Sequence, residues 1–422
     1  MQFWLSILIF LLVYALIMTD KIHRTIIAML GAAVIIAVGV VNQERAIEAI
    51  DFNTIGLLIG MMIIVGITRQ SGIFEYLAVK SAKLAGGKPL AIMAILALFT
   101  GLASALLDNV TTVLLVVPVT YAITDRLHIP VLPFLFAEII ASNIGGTATL
   151  IGDPPNIMIG SAAGLGFMDF VTNLTLPVIF ILLVTVAIML VVYRHDLETT
   201  DEHIQSIFEM DEKQAIKDWA LLKISLTILG LTMLGFLLHQ ALHLESATIA
   251  LLGAALLMLF SNENPEEVLL NIEWPTIFFF AGLFVLVGGL VETGVIEIIA
   301  RKALLITGGN LMQTGILVLW LSALASAFVD NIPFVATMIP LLQTMGQLSN
   351  LPMEPTWWAL ALGACLGGNG TLIGASANVV VAGLAEKYGD HINFIDYLKF
   401  GFPLMLVSIV LSMAYLYLFF WR

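Results

Sequence analysis

Two Asp-Asn pairs, Asp108 with Asn109 and Asp330 with Asn331, interrupt long apolar stretches of this 422-residue chain. Thr111 follows the first pair closely. Two further apolar runs are broken by polar residues: Asn143, Thr147, Asp153 and Asn156 in one, Asn369, Thr371 and Asn378 in the other. A carboxylate set in apolar surroundings is costly to ionise, so it pairs, binds a cation or takes up a proton. Asp108, Asp330 and Asp153 are therefore candidate coupling carboxylates. Their alternative roles are helix caps for Asp108 and Asp330, and a turn ahead of Pro154 and Pro155 for Asp153. Capping and coupling are compatible. The asparagines and threonines offer neutral donors and acceptors, either to a solute or ion or to unwound backbone. No Walker A, HExxH or GxSxG pattern occurs, so no catalytic residue is assigned and ATP hydrolysis by this chain is not supported. With the single cysteine Cys365, no multi-thiolate metal site forms within one chain, and no cofactor is implied. The coupling ion is a proton or a sodium ion, the latter at Asp108 and Asp330.

Such residues need a membrane around them. The chain is 60% hydrophobic and 11% charged, with a mean hydropathy of +1.04. Soluble proteins carry about 25% charged residues, so an ordinary soluble fold is excluded, and so is disorder. Continuous apolar blocks rather than short alternating strands exclude a β-barrel. The chain reads as an all-α polytopic membrane protein with the lipid bilayer as its partner. The net charge of −13 is spread mainly over two loops. One, at 194–218, includes Asp196, Glu198 and Glu212; the other, at 261–273, includes Glu263 and Glu273. Nothing basic points to nucleic acid. The opening MQFWLSILIF lacks a basic start and reads as a first span rather than a signal peptide.

The two halves align at a constant offset of 222 without a gap over more than 100 residues. ASALLDN at 103–109 matches ASAFVDN at 325–331, TLIG recurs at 149–152 and 371–374, and Asn156 matches Asn378. Chance does not produce this many matches at one offset. The first repeat covers 1–193, with spans near 2–18, 22–41 and 54–68, a hairpin at 90–123, a broken helix at 132–164 and a last span near 172–193. The hairpin's limbs, 90–107 and 110–123, are short for a membrane crossing, so it is read as re-entrant. Gly145, Gly146, Gly152 and the Pro154-Pro155 pair unwind the middle of the broken helix. A linker at 194–218 leads to the second repeat, 219–422, with its hairpin at 309–347 and broken helix at 356–385. Five transmembrane helices plus one re-entrant hairpin per half is an odd number of crossings. The repeats are therefore inverted, and the discontinuous helices meet at the centre.

Positive charge sets the orientation. With both termini outside, the inner loops of the first half receive Lys21, Arg24, Arg69, Lys80, Lys83, Lys88, Arg126 and Arg194, and the outer loops only Arg45. The second half shows no such bias, and the linker becomes cytoplasmic. All seven histidines fall in loops or near span ends and are not read as proton relays.

SNIGGTATLIGDPPNIMIG at 142–160 and ALLDNVTTVLLVVPVT at 105–120 resemble the arsenite permease and sodium/proton antiporter branch of the ion transporter superfamily, in its pink-eyed-dilution P protein type. The resemblance runs over nearly the whole chain. It implies a dimerising scaffold domain and a transport domain that moves as an elevator. It further implies a solute and ion site between the hairpin tips and broken helices, carried here by Asp108, Asn109, Thr111, Asp153, Asn156, Asp330, Asn331, Asn369, Thr371 and Asn378. The sequence departs from the dicarboxylate and citrate branch, whose tip and unwound loop carry Ser-Asn-Thr, and acidic tips repel a multiply charged anion. The expected function is export of a small inorganic solute, arsenite or antimonite, in exchange for protons across the cell membrane. The alternatives are sodium/proton antiport and a passive channel. The resemblance also allows a separate cytoplasmic ATPase subunit to dock on the linker.

Overall fold

The computed structural model describes residues 2–19, 21–195, 197, 199–349 and 351–421; Asp196 and Glu198 of the linker lie outside the described residues. The described residues form helices and no strand. The first ten are α1 (Gln2–Met18), α2 (Arg24–Ala37), α3 (Gln43–Glu48), α4 (Phe52–Gln70), α5 (Ile73–Leu84), α6 (Pro89–Leu106), α7 (Asn109–Leu127), α8 (Leu132–Gly146), α9 (Pro154–Ala163) and α10 (Phe167–Val192). After α11 (Asp201–Phe208) come α12 (Trp219–Leu242), α13 (Ser246–Ser261), α14 (Pro265–Leu270), α15 (Trp274–Glu292), α16 (Val295–Ile306), α17 (Leu311–Phe328), α18 (Asn331–Leu348), α19 (Glu354–Gly367), α20 (Ser376–Tyr388) and α21 (Phe394–Phe419).

Among the described residues, eight helices are long and apolar enough to cross a membrane: α4, α6, α7, α10, α12, α15, α17 and α21. The helices α1, α2, α8 and α13 are shorter and apolar. Large apolar side chains stay exposed along several of these, Leu12, Phe180 and Leu231 among them, as on a lipid-facing surface. Each of α2 to α9 starts 222 residues before its counterpart in α13 to α20. Side-chain bonds recur at the same offset. Ser104 Oγ donates to the Ser142 carbonyl at 2.6 Å, and Ser326 Oγ to the Ala364 carbonyl at 2.6 Å.

The limbs flanking Asp108 differ from the sequence reading in length. They are α6, of 18 residues, and α7, of 19, which continues through Thr124, Asp125 and Arg126 to a left-handed His128. At 1.5 Å per residue each spans about 27 Å, close to a membrane core. The stretch after α4, read as a loop, holds α5, and its counterpart holds α16. Both are 12-residue helices entered through a glycine with positive φ, Gly72 at 81° and Gly294 at 76°.

The breaks fall where the glycines and prolines stand. The helix α8 stops at Gly146 and α9 resumes with Pro154 in its first turn, where a missing N–H costs nothing. In the second half α19 stops at Gly367, a 3₁₀ turn covers Gly368–Gly370, and α20 begins at Ser376. A Cβ added at Gly145 would lie 2.0 Å from the Gly101 carbonyl oxygen, so the backbones of α8 and α6 touch there.

The linker is not a loose tether. Lys83 Nζ meets Glu212 at 2.5 Å, the Lys217 N–H donates to the Ser71 carbonyl at 3.0 Å, and Thr199 Oγ1 donates to the Leu127 carbonyl at 2.7 Å. The rings of His128 and His203 stack 4.2 Å apart. The segment thus straps the end of α7 to α5.

Candidate functional site

The asparagines form one buried chain of amides. Asn109 Nδ2 donates to Asn143 Oδ1 at 3.0 Å, and Asn143 Nδ2 donates to Asn369 Oδ1 at 2.9 Å and Asn378 Oδ1 at 2.8 Å. Asn156 Nδ2 reaches the carbonyls of Thr147 and Thr149 at 3.2 and 2.9 Å, and Asn378 Nδ2 those of Gly368 and Thr371 at 2.7 and 2.9 Å. Each amide thus satisfies carbonyls that the break leaves without a helical partner, as buried backbone requires. Cys365 Sγ donates to Asn156 Oδ1 at 3.5 Å. Asn143 and Cys365 are equivalent positions 222 apart, and each bonds the other half's unwinding asparagine. Thr147 and Thr371 also turn their hydroxyls to backbone, at the carbonyls of Asn143 and Ala327.

The carboxylates stand differently. Asp108 and Asp330 cap α7 and α18: Asp108 Oδ1 accepts from the Thr111 N–H at 2.7 Å, and Asp330 Oδ1 from the Ile332 N–H at 3.1 Å. Asp153, 1% exposed, accepts from Asn331 Nδ2 on both oxygens, at 3.3 and 3.2 Å. Glu138, also 1% exposed, accepts from Thr120 Oγ1 rather than pairing with a base.

A cavity of about 370 Å³ joins the two capped helix starts. Of the twelve candidate residues only Asp108 and Asp330 line it, together with His23, Arg24, Glu273 and Ser376 among its polar side chains. The buried amide chain and Asp153 lie outside this lining. Arg24 was counted above among loop cations, yet it starts α2 and its guanidinium meets Asp330 Oδ2 at 2.6 Å. The repeat carries no signal for it, because its counterpart is Ser246. What could have marked it is a basic residue at the very start of an apolar run. Glu273 was likewise assigned to a loop; its counterpart Asp51 caps α4. Among the described residues, no three His, Cys, Asp or Glu side chains come together as a metal cluster would require.

The sequence model of a family described as citrate transporter matches residues 14–363. The chain belongs to this family. It is 45% identical over 419 residues to an uncharacterized transporter of Mycobacterium tuberculosis, covering 98% of this chain and 97% of that one. It is 42% identical to a 46 kDa membrane protein of Mycobacterium leprae, covering 98% of each. The P protein of Mus musculus is 38% identical over 488 aligned residues, covering 96% of this chain but 59% of that longer protein. This agrees with the resemblance drawn from the GDPPN and LLDN stretches. The YdaH transporter of Alcanivorax borkumensis superposes with a TM-score of 0.60 over 98% of this chain and 97% of its own, at 16% identity, a likeness of fold alone. This member of the citrate transporter family is therefore an integral, multi-pass membrane protein of a transporter family.

Proposed function

We propose that this protein is a secondary active transporter that exports a small uncharged oxyacid, arsenite or antimonite, in exchange for protons. The observation that carries the reading is the single cavity shared by Asp108 and Asp330. Asp108, Asp330 and Glu273 outnumber the one guanidinium, Arg24, on its wall. An acidic excess repels a multiply charged anion such as citrate, the solute for which the family is named. It accepts hydroxyl donors from a neutral triol. Cys365 is fully buried outside the cavity lining, so the cargo is held by hydrogen bonds rather than by thiolate.

Protons fit better than sodium. Hard cations gather several oxygen ligands, while the side-chain oxygens of Asn109, Asn143, Asn156, Asn369 and Asn378 lie outside the cavity lining and each already gives one of its two lone pairs to a hydrogen bond. In this reading the repeats are inverted, and the hairpin helices α6, α7, α17 and α18 move with the broken helices α8, α9, α19 and α20 as an elevator against a scaffold that dimerises. The linker on which a separate ATPase subunit would dock is itself held against α5 and α7. Sodium/proton antiport is the second reading, favoured by the same carboxylates.

Purified protein in liposomes tests this. An imposed pH gradient should drive uphill arsenite accumulation with matching proton flux read by a pH dye. Sodium-dependent dye signals without arsenite would give the antiport reading instead, and dissipation of the gradient with no uphill movement would leave a passive channel.

A further inference from the structure

Arg24 stands where no repeat symmetry requires a charge. Its Nη1 donates to Asp330 Oδ2 at 2.6 Å and to Ser376 Oγ at 2.8 Å, and the Ser376 hydroxyl donates to Asp330 Oδ2 at 2.9 Å. The three groups close a ring of charge-assisted bonds. The guanidinium also lies 5.0 Å from the centre of the Phe279 ring, a cation–π distance. Its helix is fixed elsewhere: Thr25 Oγ1 donates to the Pro275 carbonyl at 2.7 Å, and a Cβ at Gly282 would meet the Ala28 backbone at 2.8 Å, so α2 and α15 are in direct contact. Arg24 and Phe279 thus belong to one packed pair of helices. Asp330 and Ser376 belong to the hairpin tip and the resumed half of a broken helix. The other titratable groups on this cavity wall are Asp108, Glu273 and His23.

We propose that Arg24 is a tethered counter-cation for Asp330, bound in this conformation and left behind when the hairpin tip moves, so that Asp330 takes up a proton in its place. The inference rests on the elevator reading above. It makes Arg24 a positioning residue for coupling: one guanidinium held by the scaffold alternates with one proton at the same carboxylate. Each cycle then carries one proton on Asp330. In the paired state the carboxylate is ionised against Arg24; in the displaced state it is neutral. A leaving proton goes to the cavity as the pair re-forms, and no other reactant is needed.

Liposomes holding the full chain, with radiolabelled arsenite as probe and a pH dye counting protons, test the proposal. Without the tethered charge no cation takes the proton's place at Asp330, so Arg24→Gln should move one proton fewer per arsenite than the parent. Arg24→Lys keeps the charge and should restore the parent ratio. A structural role alone changes the rate and leaves the ratio, so an unchanged ratio in Arg24→Gln overturns the inference. The double variant Arg24→Cys with Ser376→Cys gives a second readout. Bridging the two thiols with a short bifunctional thiosulfonate should stop turnover at least tenfold, and reductant should restore it; bridged protein that turns over at its unbridged rate also overturns the inference. Coupled flux in the parent with either of these results sinks the inference alone. Absence of coupled flux in the parent sinks the functional reading and the inference together.

Discussion

Asn331 gives its amide to both oxygens of Asp153, at 3.3 and 3.2 Å, and so joins the start of α18 to the start of α9 across 178 residues of chain. Among the described residues, no Lys, Arg or His forms an ion pair with Asp153. The neutral Asn331 amide and the neighbouring Cys365 thiol compensate a buried negative charge only in part. The equivalent position in the second half is Ala375, so the module's two copies are chemically unequal at this point.

Asp153→Asn keeps the shape and removes one of the three candidate coupling carboxylates. Coupled transport in liposomes should fall tenfold or more, while the amount of protein in membrane fractions stays unchanged. Normal transport would remove Asp153 from the coupling. Asn331→Ala acts on the other partner. It leaves a buried carboxylate without its amide donor, which costs about 1–3 kcal/mol, visible as a lowered unfolding midpoint in detergent.

For Asp108 and Asp330, substitution by asparagine separates charge from capping. Asparagine caps helix starts about as well as aspartate, so α7 and α18 should form and expression should hold. Asp108→Asn and Asp330→Asn should each still cut coupled transport strongly. Two variants that both transport at the parent rate would reduce these carboxylates to caps.

The sites of interruption were legible because glycine, proline and paired Asp-Asn residues stand out against apolar sequence. Asp108 and Asp330 were marked by local spacing, and their shared cavity followed from the repeat. The role of the asparagines was not legible to the same degree. Whether Asn156 faces a cavity or its own unwound carbonyls depends on rotamers within the break. Arg24 was hidden because its partner Asp330 is 306 residues away and no counterpart repeats the pair. The helices α5 and α16 were hidden because 12 residues bearing Glu75, Lys80 and Lys83, or Glu297, Arg301 and Lys302, do not look like a span. The end of α7 was hidden by the polar run before His128.

The strap formed by the linker carries its own pH dependence. The hydrogen bond from Lys83 holds the Glu212 carboxyl below its ordinary range. A lowered folded-state value means that this contact contributes fully above the ordinary glutamate range, about 4.3, and is lost as pH falls further, through the depressed value. Protease nicking within 199–215 should therefore be unchanged from pH 8 to pH 6 and rise only in stronger acid. Glu212→Gln should raise nicking at neutral pH as well. Equal nicking of this variant and the parent at pH 7 would show that the Lys83 contact does not hold the strap.

Under the proposed arsenite reading, Cys365 separates two ways of holding the cargo. Thiolates bind arsenite covalently, and a transporter using one would lose its cargo with the sulfur. Here Cys365 is fully buried, does not line the cavity, and donates a weak bond to Asn156 Oδ1 at 3.5 Å. A serine hydroxyl is a stronger donor than a thiol but sits on a shorter bond, so a small shift of the side chain brings it to Asn156 Oδ1. Asn156 stays oriented toward the Thr147 and Thr149 carbonyls, and the break between α8 and α9 keeps its shape. Cys365→Ser should therefore transport arsenite within about twofold of the parent. A Cys365→Ser protein that folds, binds lipid and moves no arsenite would require the thiol at the cargo itself, and the hydrogen-bonding account of the site would fall.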